Sequence, residues 1–547
     1  MNKSGSGLSS RSILSGIVAA AAFGALAAIG TVQALPIVET TLPMGNNTAG
    51  IQIDPSLGQV YVTNFDDGTG TLVDISSLTV QLTVPLGSNP RRFIDDAARH
   101  RIYIVLANTP GSLLVEDVLG EGNPINIPVG SNPRTLGANF FLGRVYVANA
   151  DSNNVSVVDT NTNAVIATLP VGAGPRTPAS NSILKKVYVP NSTDGTVTVI
   201  NETTLTVIKT IPVGKGAQYC AIDGQHGKVY VNNVTDKTIS VIDSATDTVI
   251  KTIASGAGSV DNFGTVNAVY RRYYLPNFAD GTLTIVNTDT DTVTNTVTVG
   301  GGPIEALADA VGGDVYVVNK DSDSVSVINA ATETVIGSFA VGDAPWRMID
   351  GLGHLFILNT NGAAAADSMT IATENNSIAN TAIATEFHHE DFNHYFHTAN
   401  EIETRFLLDG AFHDDWHRTF QFFRVWTTPG PGRLPVSRFF STQWGTKSSH
   451  FYTANAAERA ALVAGTIPGW QLEADAVYYI GLADSNGNCP AGTAPLYRLY
   501  NNGQGGAPNH RLIGDRATRD AMLALGWVPE GSGPDLVYGC TPTLLTG

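Results

Sequence analysis

The sequence predicts a mainly β protein, in which a β-propeller of eight four-stranded blades precedes a small α+β domain built from three repeats. Three observations support this prediction. A unit of about 42 residues recurs through the first two thirds of the chain. Each unit contains short runs in which apolar and polar residues alternate, and the composition changes after Ala384.

The repeat is marked by one aromatic residue in the second strand of each unit. Its copies lie 40 to 44 residues apart, at Tyr61, Tyr103, Tyr146, Tyr188, Tyr230, Tyr274, Tyr316 and Phe356. Residues 145–176 show one unit in full: three valine-rich runs separated by turns, then a Gly-x-Gly-Pro corner. About four short strands in a period of this length are typical of a propeller blade.

Polar residues mark the ends of the predicted strands. An asparagine side chain can bond the backbone of a turn, and one ends the second strand at Asn64, Asn108, Asn149, Asn191, Asn277, Asn319 and Asn359. Asp-Gly pairs at residues 67–68, 194–195 and 280–281 predict hairpin turns.

A family resemblance lies in the second strands. They read VYVTN (60–64), VYVAN (145–149), VYVPN (187–191) and VYVVN (315–319), and they resemble the YVTN-type, YncE-like propeller repeat of secreted and surface-layer proteins. The resemblance covers residues 35–384 and implies a propeller, which we place at 35–372. Relatives commonly have seven blades, the alternative to the eight counted here. Residues 37–42 are expected to close the ring, since closure removes exposed sheet edges.

Composition narrows the class of protein. The chain has 547 residues, only 14% of them charged, and a formal net charge of −17. This composition is typical of a folded, secreted all-β protein. A negatively charged chain binds nucleic acid and anionic membranes poorly, so neither is expected as a partner.

The first 34 residues have the pattern of a secretory signal peptide. Lys3 and Arg11 precede an apolar stretch at 13–30, and Val-Gln-Ala at 32–34 offers a cleavage site. A retained anchor is the alternative, because 18 apolar residues approach the length that spans a bilayer. No later segment is long and apolar enough to do so. The predicted location is secreted, periplasmic or at the cell surface.

Three cysteines are present. Cys489 and Cys540 flank the last repeat and are expected to pair after export. Cys220 falls in a predicted inner strand, where we expect a buried, unreactive thiol.

Gly-x-x-Pro corners at 87–90, 130–133, 172–175, 300–303 and 342–345 connect successive blades. The residue after each corner should begin an inner strand at the channel mouth. In order, the eight-blade register places there Arg91, Arg134, Arg176, Gln218, Val260, Ile304 and Trp346, with Arg92 and Arg347 adjacent. We predict that Arg91, Arg134, Arg176, Trp346 and Arg347 bind a carboxylate, a phosphate or an acidic peptide. The alternative is that each arginine ties its blade to a neighbour.

Catalysis and cofactors have less support from the propeller sequence. His100, His226 and His354 all fall in turns on the face opposite the corners, away from the predicted site. Some propellers of similar appearance hydrolyse lactones, so the resemblance implies a lactonase-like hydrolase as an alternative function. No catalytic residue and no cofactor is assigned.

The C-terminal region, 386–542 after a linker at 373–385, contains three similar units. They read HYFHTANEIETRFLLDGAFHDDW (394–416), HFYTANAAERAALVAGTIPGW (450–470) and HRLIGDRATRDAMLALGW (510–527). Each unit predicts a short strand followed by a helix, and each unit ends in a tryptophan. The units resemble the short aromatic RFY/HFYTA/GW repeat of secreted bacterial proteins, which implies attachment to a cell wall or glycan. Alternatively, the aromatic residues pack in the hydrophobic core of the region.

Two further patterns distinguish these units. An arginine lies between apolar neighbours at Arg424, Arg438 and Arg498, so these three are expected to be equivalent. Asn455 is expected to cap a helix, with Glu458 three residues later in an arrangement close to a capping box, and with Leu462 and Val463 facing inward.

One cluster contains metal-ligand residue types: His388, His389, Asp391, His394 and His397. Repetition of a histidine at His450 and His510 without those neighbours favours a structural role instead, so no metal site is assigned.

Three functions compete at this point. A secreted or cell-surface binding protein, without enzymatic activity, is favoured. A propeller hydrolase and a structural envelope component are the alternatives.

Overall fold

The protein is described by a computed structural model that covers residues 35–120, 122–256, 263–309, 313–360, 366–374, 380–389, 392–408, 416–444, 447–504 and 507–543. The predicted signal peptide, 1–34, lies outside the described residues. Eight four-stranded antiparallel sheets and one larger sheet make up the fold. The predicted fold class is therefore confirmed, with eight blades and not seven.

Each blade is a meander whose first strand faces the channel. From first to last strand, blade 1 comprises Thr48–Asp54, Gln59–Asn64, Thr69–Asp74 and Thr79–Pro85. Blade 2 comprises Pro90–Asp96, Arg101–Leu106, Ser112–Asp117 and Ile125–Pro128. Blade 3 comprises Pro133–Asn139, Arg144–Asn149, Asn154–Asp159 and Ala164–Pro170. Blade 4 comprises Ala179–Asn181, Lys186–Asn191, Thr196–Asn201 and Thr206–Pro212.

The second half of the ring repeats this order. Blade 5 comprises Ala217–Asp223, Lys228–Asn233, Thr238–Asp243 and Thr248–Ala254. Blade 6 comprises Thr265–Asn267, Arg272–Asn277, Thr282–Asn287 and Thr292–Thr298. Blade 7 comprises Pro303–Ala308, Asp314–Asn319, Ser324–Asn329 and Thr334–Ala340. Blade 8 comprises Pro345–Gly351, His354–Asn359 and Ser368–Thr373.

The outer strand of blade 8 comes from the other end of the chain. Val38–Pro43 pairs antiparallel with Ser368–Thr373, and Leu42 lies opposite Met369. The predicted closing strand is thus confirmed. It completes the eighth four-stranded sheet and so closes the ring with a strand from the start of the propeller.

The repeated aromatic and asparagine residues hold each blade together. All eight aromatic residues of the repeat are buried, with at most 3% of their surface exposed. At the end of the second strand, Asn149 donates to Asn154 at 2.7 Å and to Ser156 at 3.0 Å, which ties the turn to the third strand. A Cβ on Gly130 would lie 2.7 Å from the Asn149 side chain, so the corner needs glycine there.

Apolar side chains fill the space between neighbouring blades. Between blades 2 and 3, Tyr103 and Val105 pack with Val145 and Val147 in one buried cluster. Cys220 is buried in the first strand of blade 5, as expected.

The C-terminal region consists of three units with one strand–strand–helix–strand order. Unit 1 comprises Thr381–His389, His394–Thr398, helix α1 (Glu401–Leu408) and Trp416–Trp426. Unit 2 comprises Leu434–Trp444, Lys447–Thr453, helix α2 (Ala456–Val463) and Gln471–Leu482. Unit 3 comprises Thr493–Tyr500, His510–Ile513, helix α3 (Arg516–Ala524), Val528–Glu530 and Gly539–Pro542. The first strand of unit 1 begins within the segment that the sequence analysis assigned to a linker.

The strand register establishes which residues of the units are equivalent. Phe387 pairs with Phe396, Phe439 with Phe451, and Leu499 with Arg511. The residues immediately before Phe387, Phe439 and Leu499 are Glu386, Arg438 and Arg498. The expected equivalence of Arg424 with the other two arginines is therefore wrong. Arg424 lies in the last strand of its unit, and a glutamate takes the position in unit 1.

Ion pairs formed by buried arginines with partly exposed glutamates join unit 1 to unit 2 and unit 2 to unit 3. In both cases an arginine of one unit reaches a helix glutamate of the preceding unit and a strand glutamate of its own. The pairs are Arg438–Glu403, Arg438–Glu473, Arg498–Glu458 and Arg498–Glu530, with N···O distances of 2.7 to 2.8 Å.

The boundary between units 3 and 1 reverses these charges. Glu386, fully buried, accepts from Arg511 of unit 3 at 2.7 Å, from Thr419 at 2.5 Å and from His397 at 3.1 Å. Burial alone would raise the pKa of Glu386, but Arg511 and His397 hold it at about 2. Thr419 and Thr518 stand where the other boundaries have glutamate. The third boundary thus has an acid at the first-strand position, and its basic partner comes from a different position, on the second strand of unit 3.

Helix α2 begins as predicted and differs in detail. Asn455 accepts from the backbone N–H groups of Ala457 and Glu458, which confirms the cap. Glu458 does not complete a capping box, because its carboxylate accepts from Thr453 and Arg498. Val463 is 56% exposed, so its inward orientation was predicted wrongly.

A disulfide joins Cys489 to Cys540, as predicted. It links the loop before the first strand of unit 3 to the last strand of that unit.

Removing this disulfide is expected to weaken the C-terminal region. A disulfide that closes a loop of 51 residues lowers the conformational entropy of the unfolded chain. This loss destabilises the unfolded state by about 4 kcal/mol. Cys489→Ala with Cys540→Ala should lower the free energy of unfolding by that amount, measured by urea titration of tryptophan fluorescence. Reductant should bring the wild-type protein to the level of the double variant and leave that variant unchanged. Equal stability of the oxidised wild type and the double variant would contradict the expectation.

Candidate anion-binding site at the channel mouth

The predicted arginine positions meet at one end of the propeller channel. Arg91, Arg134 and Arg176 line a single cavity of about 320 Å³, together with Trp346. This cavity, together with all the residues that line it, is the mouth of the channel. Arg92 and Lys320 add two further cations. The sequence placed Val260 at an equivalent position, which lies outside the described residues.

The mouth cations are held in different ways. Arg91 lies over the Phe65 ring, 5.0 Å from its centre. Arg176 donates from Nε to Ser192 Oγ at 3.2 Å. For Arg134 and Lys320, the side chain makes no hydrogen bond or ion pair with another described residue. Two of the mouth cations are therefore available to a ligand without breaking a contact to the described chain.

Sequence reasoning missed Lys320, Phe65 and Phe263 as mouth residues. Lys320 and Phe65 directly follow the asparagine that ends a second strand, and these strands run toward the mouth. The residue after each of these asparagines was thus a usable signal. Phe263 had no comparable signal in the sequence, because no Gly-x-x-Pro corner precedes blade 6.

Arg347 lies deeper than predicted, and its partner is a neighbouring blade. It is 5% exposed, and its Nη1 bonds Glu305 Oε1 of blade 7 at 2.7 Å. Arg347 therefore fits the alternative given for the mouth arginines, in which an arginine connects its blade to a neighbouring blade. Its guanidinium lies 3.6 Å from the centre of the Phe263 ring, and Arg92 covers the same ring at 5.0 Å.

A second cavity, called the throat below, lies beneath the mouth. It also measures about 320 Å³ and shares Arg92, Thr135, Thr177 and Phe263 with the mouth. Arg347 and Glu305 line it. Burial raises the pKa of Tyr219, also at the throat, so this residue remains a neutral hydroxyl at physiological pH.

The other end of the channel is covered by the C-terminal region. Arg405 of helix α1 donates to the backbone carbonyl of Asp95, in the first strand of blade 2, at 2.9 Å. Glu401 accepts from the backbone of Leu352 at 3.4 Å. His417 packs on Phe141 with ring centres 4.8 Å apart. These contacts leave the mouth as the end of the channel that faces away from the C-terminal region.

The propeller histidines lie at this covered end. His226 bonds Asp223 at 2.8 Å and Asp289 at 2.7 Å. His354 lies 3.3 Å from Glu39 of the closing strand. Their partners are structural carboxylates of the blades and not residues of the mouth.

The candidate metal ligands have separate partners. His388 bonds Asn393, His389 stacks on Phe392, His394 bonds His450 at 2.9 Å, and His397 bonds Glu386. Asp391 lies outside the described residues. Within the described part of the chain, no three histidine, cysteine, aspartate or glutamate side chains are grouped as metal ligands.

The histidine recurrence follows the strand register. His450 pairs with Phe440, His510 with Tyr500, and Tyr395 with His388. The unit 1 counterpart of His450 and His510 is therefore Tyr395 and not His394.

Comparison with known proteins finds a similarity to a family model in the C-terminal region. Residues 383–534 match a domain of unknown function, DUF5648. The hydrazine synthase of Kuenenia stuttgartiensis is similar in structure at a TM-score of 0.41 and 15% sequence identity, over 61% of this chain and 97% of that one. No curated protein matches the sequence. Among the described residues, no helix has the length and apolar character needed to span a membrane.

Proposed function

We propose that this chain is a binding protein without enzymatic activity, whose propeller holds a small anionic ligand at the mouth. The observation that carries the proposal is the concentration of five cationic side chains from four blades around one cavity, on a chain of formal net charge −17. Guanidinium groups bind carboxylates and phosphates through paired hydrogen bonds. A cavity of about 320 Å³ is at the small end of the range for ligand sites.

The lining of the two cavities favours binding over hydrolysis. Hydrolysis of a lactone needs a general base or a metal-bound water. Among the described residues that line the mouth and throat, Glu305 is the only carboxylate, and none is a histidine or cysteine. Glu305 is already bonded to Arg347. Its other oxygen accepts from the backbone N–H of Met348 at 2.8 Å, so both oxygens of Glu305 have partners within the protein.

Secretion and surface attachment complete the proposal. The signal-like segment at 1–34, the Cys489–Cys540 disulfide and the resemblance to secreted propellers support export. A glycan-binding role for the C-terminal region would need residues other than its repeated tryptophans. Trp416, Trp470 and Trp527 pack in the small cores of their units, against the helices.

The mouth can be tested by calorimetric titration of the full chain with inorganic phosphate and with acetate at low ionic strength. Arg134→Gln should weaken binding of either anion about 10- to 100-fold, since a hydrogen bond to a charged group contributes roughly 1.5–3 kcal/mol. The matched control is Lys251→Gln, which removes one positive charge from the outer strand of blade 5. Equal affinity in both variants, or no binding by the wild type, would reject the proposal.

A further inference from the structure

Arg347 is a buried guanidinium whose hydrogen-bonding capacity is mostly unused. An arginine side chain has five N–H donors. Nη1 of Arg347 bonds Glu305, but Nε and Nη2 are buried and have no hydrogen-bond partner among the described residues. Buried donors in this condition are rare and need an explanation, such as a bound ligand or water.

The surroundings of Arg347 indicate where a partner would lie. Phe263 covers the guanidinium, with its ring centre 3.6 Å away. The Nε and Nη2 donors lie in the plane of the guanidinium group, and Arg347 lines the throat. Thr135, which lines both cavities, also has a buried hydroxyl oxygen without a hydrogen-bond partner among the described residues. The throat thus has a second polar group of the kind that binds a carboxylate.

A charged acceptor suits the throat better than water does. Its described lining contains two guanidinium groups, Arg92 and Arg347, and one carboxylate, Glu305. Water could accept from the unused donors of Arg347, but a carboxylate forms stronger hydrogen bonds to a guanidinium, because both groups carry charge. Burial strengthens that attraction.

We infer that the ligand is an elongated dianion of the dicarboxylate class, which enters the channel end-on. One carboxylate lies among Arg91, Arg134 and Arg176 at the mouth, and the second lies beside Arg347 in the throat. The two cavities adjoin through shared residues, so one molecule can extend from one to the other. The inference rests on the proposed anion-binding function and adds the ligand class.

The test is calorimetric titration of the full chain with the straight-chain dicarboxylates from malonate to adipate and with monocarboxylates of equal carbon number. One dicarboxylate length is expected to bind at least 100-fold more tightly than its monocarboxylate. Arg347→Met with Glu305→Gln removes both charges together, so that no carboxylate remains buried and unpaired. This double variant should bind dicarboxylate and monocarboxylate equally well, with the monocarboxylate affinity unchanged.

A milder variant guards against disruption of the blade contact. Thr135→Val keeps the ion pair of Arg347 and should lower the dicarboxylate preference about 10-fold. A wild-type protein that binds both classes equally, or a preference that survives in both variants, would overturn the inference. Monocarboxylate binding that is lost with Arg134→Gln would then still support the mouth, whereas no binding of any anion would reject the proposed function itself.

Discussion

Glu386→Arg is expected to unfold the C-terminal region. The glutamate is fully buried and bonds Arg511 at 2.7 Å, so the variant would bury two arginines against each other. Breaking a buried ion pair by removing one partner costs about 3–5 kcal/mol, and a like charge in its place costs more. Loss of the tertiary structure of all three units is the expected result, because Glu386 and Arg511 lie on the boundary that closes the three-unit arrangement.

The other two boundaries supply a design that should restore stability. There the arginine is on the first strand, with one glutamate on the last strand of its own unit and another on the preceding helix. Glu386→Arg combined with Thr419→Glu, Thr518→Glu and Arg511→Phe copies that pattern onto the third boundary. The quadruple variant is expected to recover most of the stability that the single variant loses.

Urea titration of tryptophan fluorescence measures both variants, since five of the six tryptophans lie beyond residue 400. Arg516→Gln is the control for a change of charge, because this arginine is 61% exposed in its pair with Asp535. It should change the free energy of unfolding by less than about 1 kcal/mol. A stable single variant would show that the third boundary does not depend on the ion pair. A quadruple variant no more stable than the single one would show that the three boundaries are not interchangeable.

The propeller could be predicted from the sequence because its signal is repeated around the ring. In seven of the eight copies an asparagine lies three residues after the aromatic and ends the second strand, so one local pattern indicates the period and the number of blades. Blade 2 departs from it, because its second strand ends at Leu106 and Asn108 lies beyond the strand. The mouth followed from this period, since the residue after each corner has a fixed place in the ring.

The depth and partners of individual side chains were harder to predict. Arg347 has the same kind of position as Arg92, yet Arg92 lines both cavities whereas Arg347 lines only the throat, where it pairs with Glu305. Phe263 enters the site from a blade that departs from the repeat. Such contacts join residues far apart in the sequence, and no local spacing records them.

The C-terminal misassignment has a similar cause. Arg424 has apolar neighbours, as Arg438 and Arg498 do, and this local similarity suggested equivalence. The true counterpart, Glu386, has the opposite charge, and its partner Arg511 takes a position that is phenylalanine in the other two units. An ion pair formed from different positions preserves a contact between the units and removes the sequence similarity.

Stability of the C-terminal region is expected to fall steeply below pH 6.5. Burial lowers the pKa of His510 to about 3, and Arg498 adds to the effect. Burial and the neighbouring His450 lower the pKa of His394 well below its usual value. Burial also lowers the pKa of His450, although Glu473 opposes the shift. His510 is therefore neutral in the folded protein at pH 5, and His394 and His450 bind a proton less readily there than in the unfolded chain.

The sign of the effect follows from proton binding. The unfolded chain takes up protons on these histidines as the pH falls through about 6.5, while the folded chain does not. A histidine that stays neutral over this range, as His510 does, costs about 2 kcal/mol of stability between pH 7.5 and pH 5. The lowered pKa values of His394 and His450 add to this loss. Glu386 does not contribute in this range, because its stabilisation is lost only as the pH falls below about 4.5 toward its folded pKa of about 2.

Urea titrations at pH 7.5 and pH 5 measure the change, with tryptophan fluorescence as the signal. His510→Gln should reduce the difference between the two pH values by about 2 kcal/mol, since glutamine cannot bind the proton in either state. His226→Gln is the matched control in the propeller, where the histidine is bonded to two aspartates and the fluorescence of the C-terminal region should not respond. A pH dependence of the same size in the His510 variant and the wild type would mean that this buried histidine is not among the groups that make the C-terminal region sensitive to acid.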